Sequence, residues 1–182
     1  MAVIFGQDAL SDSTLEKLSS YLRSREKEFV WGSNYLLWPP TLTTRGGGVV
    51  LTHKLTPEWT ESLLEELHSR EKLSYMPSSG TAMYYAWFGG SSINWHTDYA
   101  DKSSMTIYLS KEWLAEYGGY FCWKDWDSSD LNSNGDVPRE ARIRVPMYNT
   151  FVHITKAEWH ATTYSAPFAP VRSTLQLFFS HK

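Results

Sequence analysis

Two histidines, an aspartate and an arginine in the second half of this chain have the types and spacing to build a metal centre for oxidation chemistry. Trp95-His96-Thr97-Asp98 places an imidazole and a carboxylate two residues apart. In an extended segment such residues point to the same side. They can reach one ion together, and a second imidazole from a distant strand would complete one face of an octahedron and leave three positions open. Non-haem Fe(II) oxygenases use this arrangement of two histidines and one carboxylate. Tetrahedral zinc sites draw on several cysteines or three histidines, and the one cysteine here is Cys122. Alone, H-x-D is a weak signal, because a histidine near an aspartate is commonplace on surfaces.

The elements that must position these groups are helices first, with a β insertion at Phe29 to Thr52 that reads as irregular loop and short strand, and strands later. Ser13-Thr14-Leu15-Glu16 has the S-x-x-E capping-box form, with Leu15, Leu18 and Leu22 on one helical face behind it. Thr56-Pro57 reads as an N-cap and first helical residue, followed by a stripe of Trp59, Leu63, Leu64 and Leu67. From Ala82 onward the helical period gives way to short β-rich runs punctuated by Gly, Pro, Asp, Asn and Ser. Short strands after helices predict a mainly β domain, a sandwich or jelly roll with N-terminal helices supporting one face. Lys124 to Arg144 reads as one long polar loop over an opening. With the aromatic segment Trp31–Arg45 it is a candidate wall of a substrate pocket.

Taken with its neighbours, the constellation becomes more specific. YAWFGGSSINWHTD, MTIYLSKEWLAEYGGYFCW and NTFVHITKAEWHATTYSAPFAPVRSTLQLFF resemble the catalytic core of the prolyl-hydroxylase-like 2-oxoglutarate/Fe(II) oxygenases, over about Tyr84 to Ser180. The resemblance rests on order and spacing together. H-x-D comes first, then a strand ending in Tyr-Leu before a Trp, a Gly-Gly strand start, and a His followed by an Arg. It implies a single domain over 1–182, with a double-stranded β-helix (jelly-roll, cupin-like) core at 81–182 and helical or irregular support at 1–80. It also implies His96 and Asp98 as the near metal ligands and a distal histidine from His153 or His160. Arg172 lies twelve residues beyond His160, the family's usual spacing, and nineteen beyond His153, so spacing favours His160.

Arg172 separates an oxygenase from other metal proteins. The co-substrate 2-oxoglutarate chelates iron through its keto acid end, and its far carboxylate needs a cationic anchor that a planar guanidinium can supply bidentately. By the resemblance, Tyr108 donates its phenol to that carboxylate, Thr174 adds a hydroxyl, and Tyr85 lies beside the iron-bound end. Fe(II), 2-oxoglutarate and O2 are implied, with ascorbate a candidate supporting reductant. Family members that halogenate lack a carboxylate at the position of Asp98. Hydroxylation or a related oxidation of an unactivated C–H is therefore expected, on a small-molecule, amino-acid or peptide-like substrate, with release of succinate and CO2. A cupin-like metal-binding module or isomerase without 2-oxoglutarate chemistry would need the triad but not Arg172.

Bulk properties narrow the partners. A net charge of −3 and the absence of a basic stripe argue against nucleic acid. No segment approaches the length of a membrane span. The Met1 end lacks the pattern of a signal peptide, and the single cysteine suits a reducing compartment, so a cytoplasmic location is expected. Asp130 to Gly135 matches the opening of an EF-hand loop, but its twelfth position would be Ala141 and not Glu. A polar loop is the reading adopted for it.

Overall fold

The computed structural model describes residues 3–33, 49–98, 102–124, 141–155 and 158–180. Two antiparallel sheets face each other. The larger holds, in spatial order, β1 (Val3–Gly6), β9 (Phe151–Ile154), β6 (Lys102–Tyr108), β11 (Arg172–Ser180), β4 (Gly80–Trp87), β3 (Val49–Lys54) and β2 (Val30–Ser33). The smaller holds β5 (Ile93–His96), β10 (His160–Thr162), β7 (Phe121–Trp123) and β8 (Arg142–Arg144). Two helices, α1 (Asp12–Ser24) and α2 (Pro57–Ser69), cover the outer face of the large sheet. This is the mainly β, helix-supported jelly roll, with a double-stranded β-helix core, that the sequence predicts.

Period-2 alternation divides the large sheet into two faces with different tasks. On β11, Leu175, Leu177 and Phe179 join Met105 and Ile107 of β6 and the leucines of both helices in the main core. Each such side chain contributes about 1.5–3 kcal/mol on full burial. The intervening residues, Arg172 and Thr174, face the small sheet, as does Tyr108, which clusters with Phe121 and Trp123 of β7. Arg172 and Thr174 are buried polar groups in the layer between the sheets.

The helix starts show one agreement and one correction. Thr56 caps α2, its hydroxyl accepting from the Trp59 amide at 3.4 Å, with Pro57 as the first helical residue. For α1 the cap is Ser11 and not Ser13. The acid that completes it comes from the other helix: Glu66 accepts from the Ser11 amide at 2.6 Å and from the Thr14 hydroxyl. A cross-helix partner of this kind leaves no local sequence signature.

β1 escaped the sequence reading, whereas β2 and β3 fall at the two ends of the Phe29 to Thr52 stretch, where loop and short strand are expected. β1, β2 and β3 all precede residue 81, so the large sheet begins within the first eighty residues. Arg142–Arg144 pairs with β7, so the polar stretch from Lys124 ends in a strand and not in loop. The rest of both candidate pocket walls, 34–45 and 125–140, lies outside the described residues, as does the segment from Asp130 to Gly135.

Asn149 ties the N-terminal segment to the sheet. Its φ is +54°, in the left-handed region that Asn tolerates better than Ala. Its side chain accepts from the Leu10 amide at 3.0 Å and donates to the Leu10 carbonyl at 2.9 Å, while its backbone carbonyl accepts from Ala9. Asn149→Ala leaves both Leu10 groups unsatisfied in a buried site. We expect a loss of about 2–4 kcal/mol, read as a lower urea midpoint with an unchanged slope.

Candidate metal centre

His96 is the last residue of β5, His160 the first of β10, and the two are register partners across the small sheet. Partners in an antiparallel pair project to the same face. Their rings lie 4.2 Å apart between centroids. Asp98 sits two residues past His96, beyond the end of β5, with one oxygen 3.9 Å from His96 Nε2 and the other 3.7 Å from His160 Nε2. One donor atom from each residue lies within 4.8 Å of the others, so the three can hold a single ion. The same-face argument from the sequence covers only part of this, since the strand stops before the aspartate.

The protonation pattern suits ligation. His96 Nδ1 lies 2.7 Å from the Asn94 carbonyl and His160 Nδ1 lies 2.8 Å from the Glu158 carbonyl. A carbonyl only accepts, so both Nδ1 atoms donate, which leaves Nε2 of each ring as the ligating atom on the carboxylate side. This is the hydrogen bonding that fixes the tautomer of a metal-ligating histidine. His160, stacked on Phe121 at 5.6 Å and 5% exposed, has its pKa pushed down to about 4, by burial first and by His96 second. It is neutral at pH 7. Ser104 of β6 donates a hydrogen bond to Asp98 Oδ2.

Arg172 lies in the same interlayer, reached from the large sheet. It is 4% exposed, and burial pulls its pKa down to about 10, so it stays charged at neutral pH. Nη1 donates to the Gly119 carbonyl at 2.6 Å, and the guanidinium carbon lies 5.6 Å from the centre of the Trp87 ring. Gly119 has φ +63°, and a Cβ there would come within 2.7 Å of Nη1. The buried Nε has no hydrogen-bond partner, and no carboxylate of the described residues pairs with the group. A buried charge without a counter-ion is costly, so the site suits an anion that enters from outside the chain.

Tyr108 and Thr174 are register partners on neighbouring strands, and Thr174 also pairs with Tyr85. Burial pushes the Tyr108 phenol up to about 12, with Arg172 partly opposing, so it remains protonated. Thr174 Oγ1 accepts from Trp87 Nε1 at 3.1 Å, and Trp87 stacks on Tyr85 at 5.6 Å. Tyr108 and Thr174 thus lie on the strands that adjoin or carry Arg172, and Tyr85 approaches it through Trp87. Trp87, Gly119 and Ser104 were missed. Trp87 reads as one more core aromatic, and nothing in the spacing of Gly119 or Ser104 marks them.

His153, the rival third ligand, lies elsewhere. It follows Val152 on β9, so it projects to the helix-covered face, where its ring lies 5.5 Å from Phe179. His160→Ala should abolish retention of Mn(II) by the metal-free protein, and His153→Ala should leave it within a few-fold of wild type, measured by equilibrium dialysis. The reverse order would show that the wrong histidine faces the ion.

No protein-family profile and no curated protein matches the sequence. Solved structures match well. A prolyl-4-hydroxylase from Pseudomonas putida is similar over 99% of this chain and 93% of its own, at 13% identity and a TM-score of 0.66. A prolyl hydroxylase from Trichoplax adhaerens, in complex with a hypoxia inducible factor oxygen degradation domain peptide fragment, matches 98% of this chain and 83% of its own, at 15% identity and a TM-score of 0.66. HygX from Streptomyces hygroscopicus, with nickel, 2-oxoglutarate and hygromycin B bound, matches 98% of this chain and 83% of its own, at 11% identity and a TM-score of 0.59. The fold of this chain is that of the prolyl-4-hydroxylase-like 2-oxoglutarate/Fe(II) oxygenases.

Proposed function

We propose that this chain is an Fe(II)- and 2-oxoglutarate-dependent dioxygenase that oxidises an unactivated C–H bond of a small-molecule, amino-acid or peptide-like substrate. The observation that carries this reading is Arg172, a buried cation with an unpartnered Nε in the interlayer that holds the three metal-binding side chains. A metal-binding cupin or isomerase without 2-oxoglutarate would gain nothing from that charge.

In this reading His96, Asp98 and His160 hold the iron, and Arg172 holds the distal carboxylate of the co-substrate. Tyr108, protonated at neutral pH, donates to that carboxylate. Thr174 already accepts the Trp87 N–H, which leaves its own hydroxyl proton to donate. Tyr85 flanks the co-substrate through its stack on Trp87. Phe5, Phe121 and Trp123 pack beside Tyr108 and exclude water from the interlayer. When bound, iron supplies O2 activation coupled to decarboxylation of 2-oxoglutarate, giving succinate, CO2 and an oxidised substrate. A reducing, cytoplasmic setting fits Cys122, which is buried and free, and no described helix is long and apolar enough to cross a membrane.

Substrate class stays broad because related folds accept both kinds. The Trichoplax enzyme holds a peptide fragment, and HygX holds hygromycin B. Succinate formation across a panel of amino acids, peptides and natural products, with ascorbate in the assay, would identify the substrate.

Adding 2-oxoglutarate to the anaerobic Fe(II) protein should raise a weak visible charge-transfer band. A folded protein that binds iron but gives no band would rule out the co-substrate. Arg172→Ala should retain the metal and need about 30-fold or more 2-oxoglutarate for the half-maximal band, the usual loss when one member of a buried charge pair is removed. Loss of the metal instead would make Arg172 structural.

A further inference from the structure

The two histidines and the aspartate are not held in the same way. Each imidazole is fixed within the small sheet by a carbonyl two residues before it. Asp98 has no such support. It lies past the end of β5, and among the described residues its carboxylate makes a single hydrogen bond, from Ser104. Ser104 is on β6 of the large sheet, 2% exposed, with Ile154 and Phe178 as register partners. It shares a strand face with Tyr108, four residues on, and so projects into the layer between the sheets.

From this we infer that Ser104 is the positioning residue of the metal centre, fixing the plane of the Asp98 carboxylate so that one oxygen ligates beside the two Nε2 atoms. This rests on the metal-centre reading above. The carboxylate spans both histidines, with Oδ1 nearer His96 and Oδ2 nearer His160. A hydroxyl proton on Oδ2 engages one oxygen, stops rotation about the Cβ–Cγ bond and disfavours chelation by both oxygens together. Single-oxygen ligation preserves the open positions that a keto acid and O2 require. The same bond joins the ligand set to the sheet that carries Arg172, Thr174 and Tyr108, so it helps fix the distance between the ion and the co-substrate anchor. Partners of this kind typically account for 10–100-fold in metal affinity.

The test uses the metal-free full chain and Mn(II), with free ion followed by electron paramagnetic resonance. Ser104→Ala should bind Mn(II) about 10–100-fold more weakly than wild type, with the thermal midpoint of the metal-free protein unchanged. Ser104→Thr, which keeps the hydroxyl, should recover most of the affinity. Wild-type affinity in Ser104→Ala would overturn the proposal, as would Ser104→Thr binding as weakly as Ser104→Ala. A loss of affinity that merely tracks a lower thermal midpoint in both variants would also overturn it. A wild-type chain that binds no Mn(II) would fail earlier, on the metal centre itself.

Discussion

A guanidinium sealed between two sheets must find a negative partner or impose a large cost on the fold. Arg172 meets that constraint only in part, with a backbone carbonyl, an aromatic face and a neighbouring phenol, none of which carries a formal negative charge at neutral pH. The surroundings are shaped to keep it there. Gly119 lacks the Cβ that would displace it, Trp87 lies under it, and Trp113 supports the turn by donating to the Gly118 carbonyl at 3.1 Å. A cation held so firmly and left without a counter-ion is poised for an anionic ligand.

The metal-binding side chains obey a related constraint. Three donor atoms that converge within 4.8 Å come from a carboxylate and two imidazoles whose Nδ1 atoms are held by backbone carbonyls. Without an ion, little holds such groups together beyond their outer hydrogen bonds, which is why the carbonyls of Asn94 and Glu158 and the hydroxyl of Ser104 matter. The small sheet contributes the histidines and the large sheet the anchor. The aromatic packing between Phe5, Phe121, Trp123 and Tyr108 keeps the two sheets in register.

Much of this is legible in the residues. Alternation in RSTLQLFF assigns Leu175, Leu177 and Phe179 to one face, and Arg172 and Thr174 to the other. The His-x-Asp pair is weak alone, and the second histidine and the arginine gain meaning only through the family resemblance, whose spacing favours His160 over His153. What stays hidden depends on partners remote in sequence. Ser11 caps α1 with help from Glu66, so the local capping box pointed two residues too far. β1 is short and directly precedes α1, where the run Val3-Ile4-Phe5 has no strand neighbour to betray it. Trp87 and Gly119 have roles only because β4, β7 and β11 converge on one point, and no linear pattern encodes that convergence.

A crystal structure of the protein with Mn(II) and 2-oxoglutarate bound under anaerobic conditions would test the central claim most directly. The anomalous signal should lie within direct bonding distance of His96 Nε2, one Asp98 oxygen and His160 Nε2. The distal carboxylate of 2-oxoglutarate should sit on the guanidinium of Arg172, within reach of the hydroxyls of Tyr108 and Thr174. A metal bound elsewhere, or a 2-oxoglutarate whose distal carboxylate leaves Arg172 untouched, would contradict it.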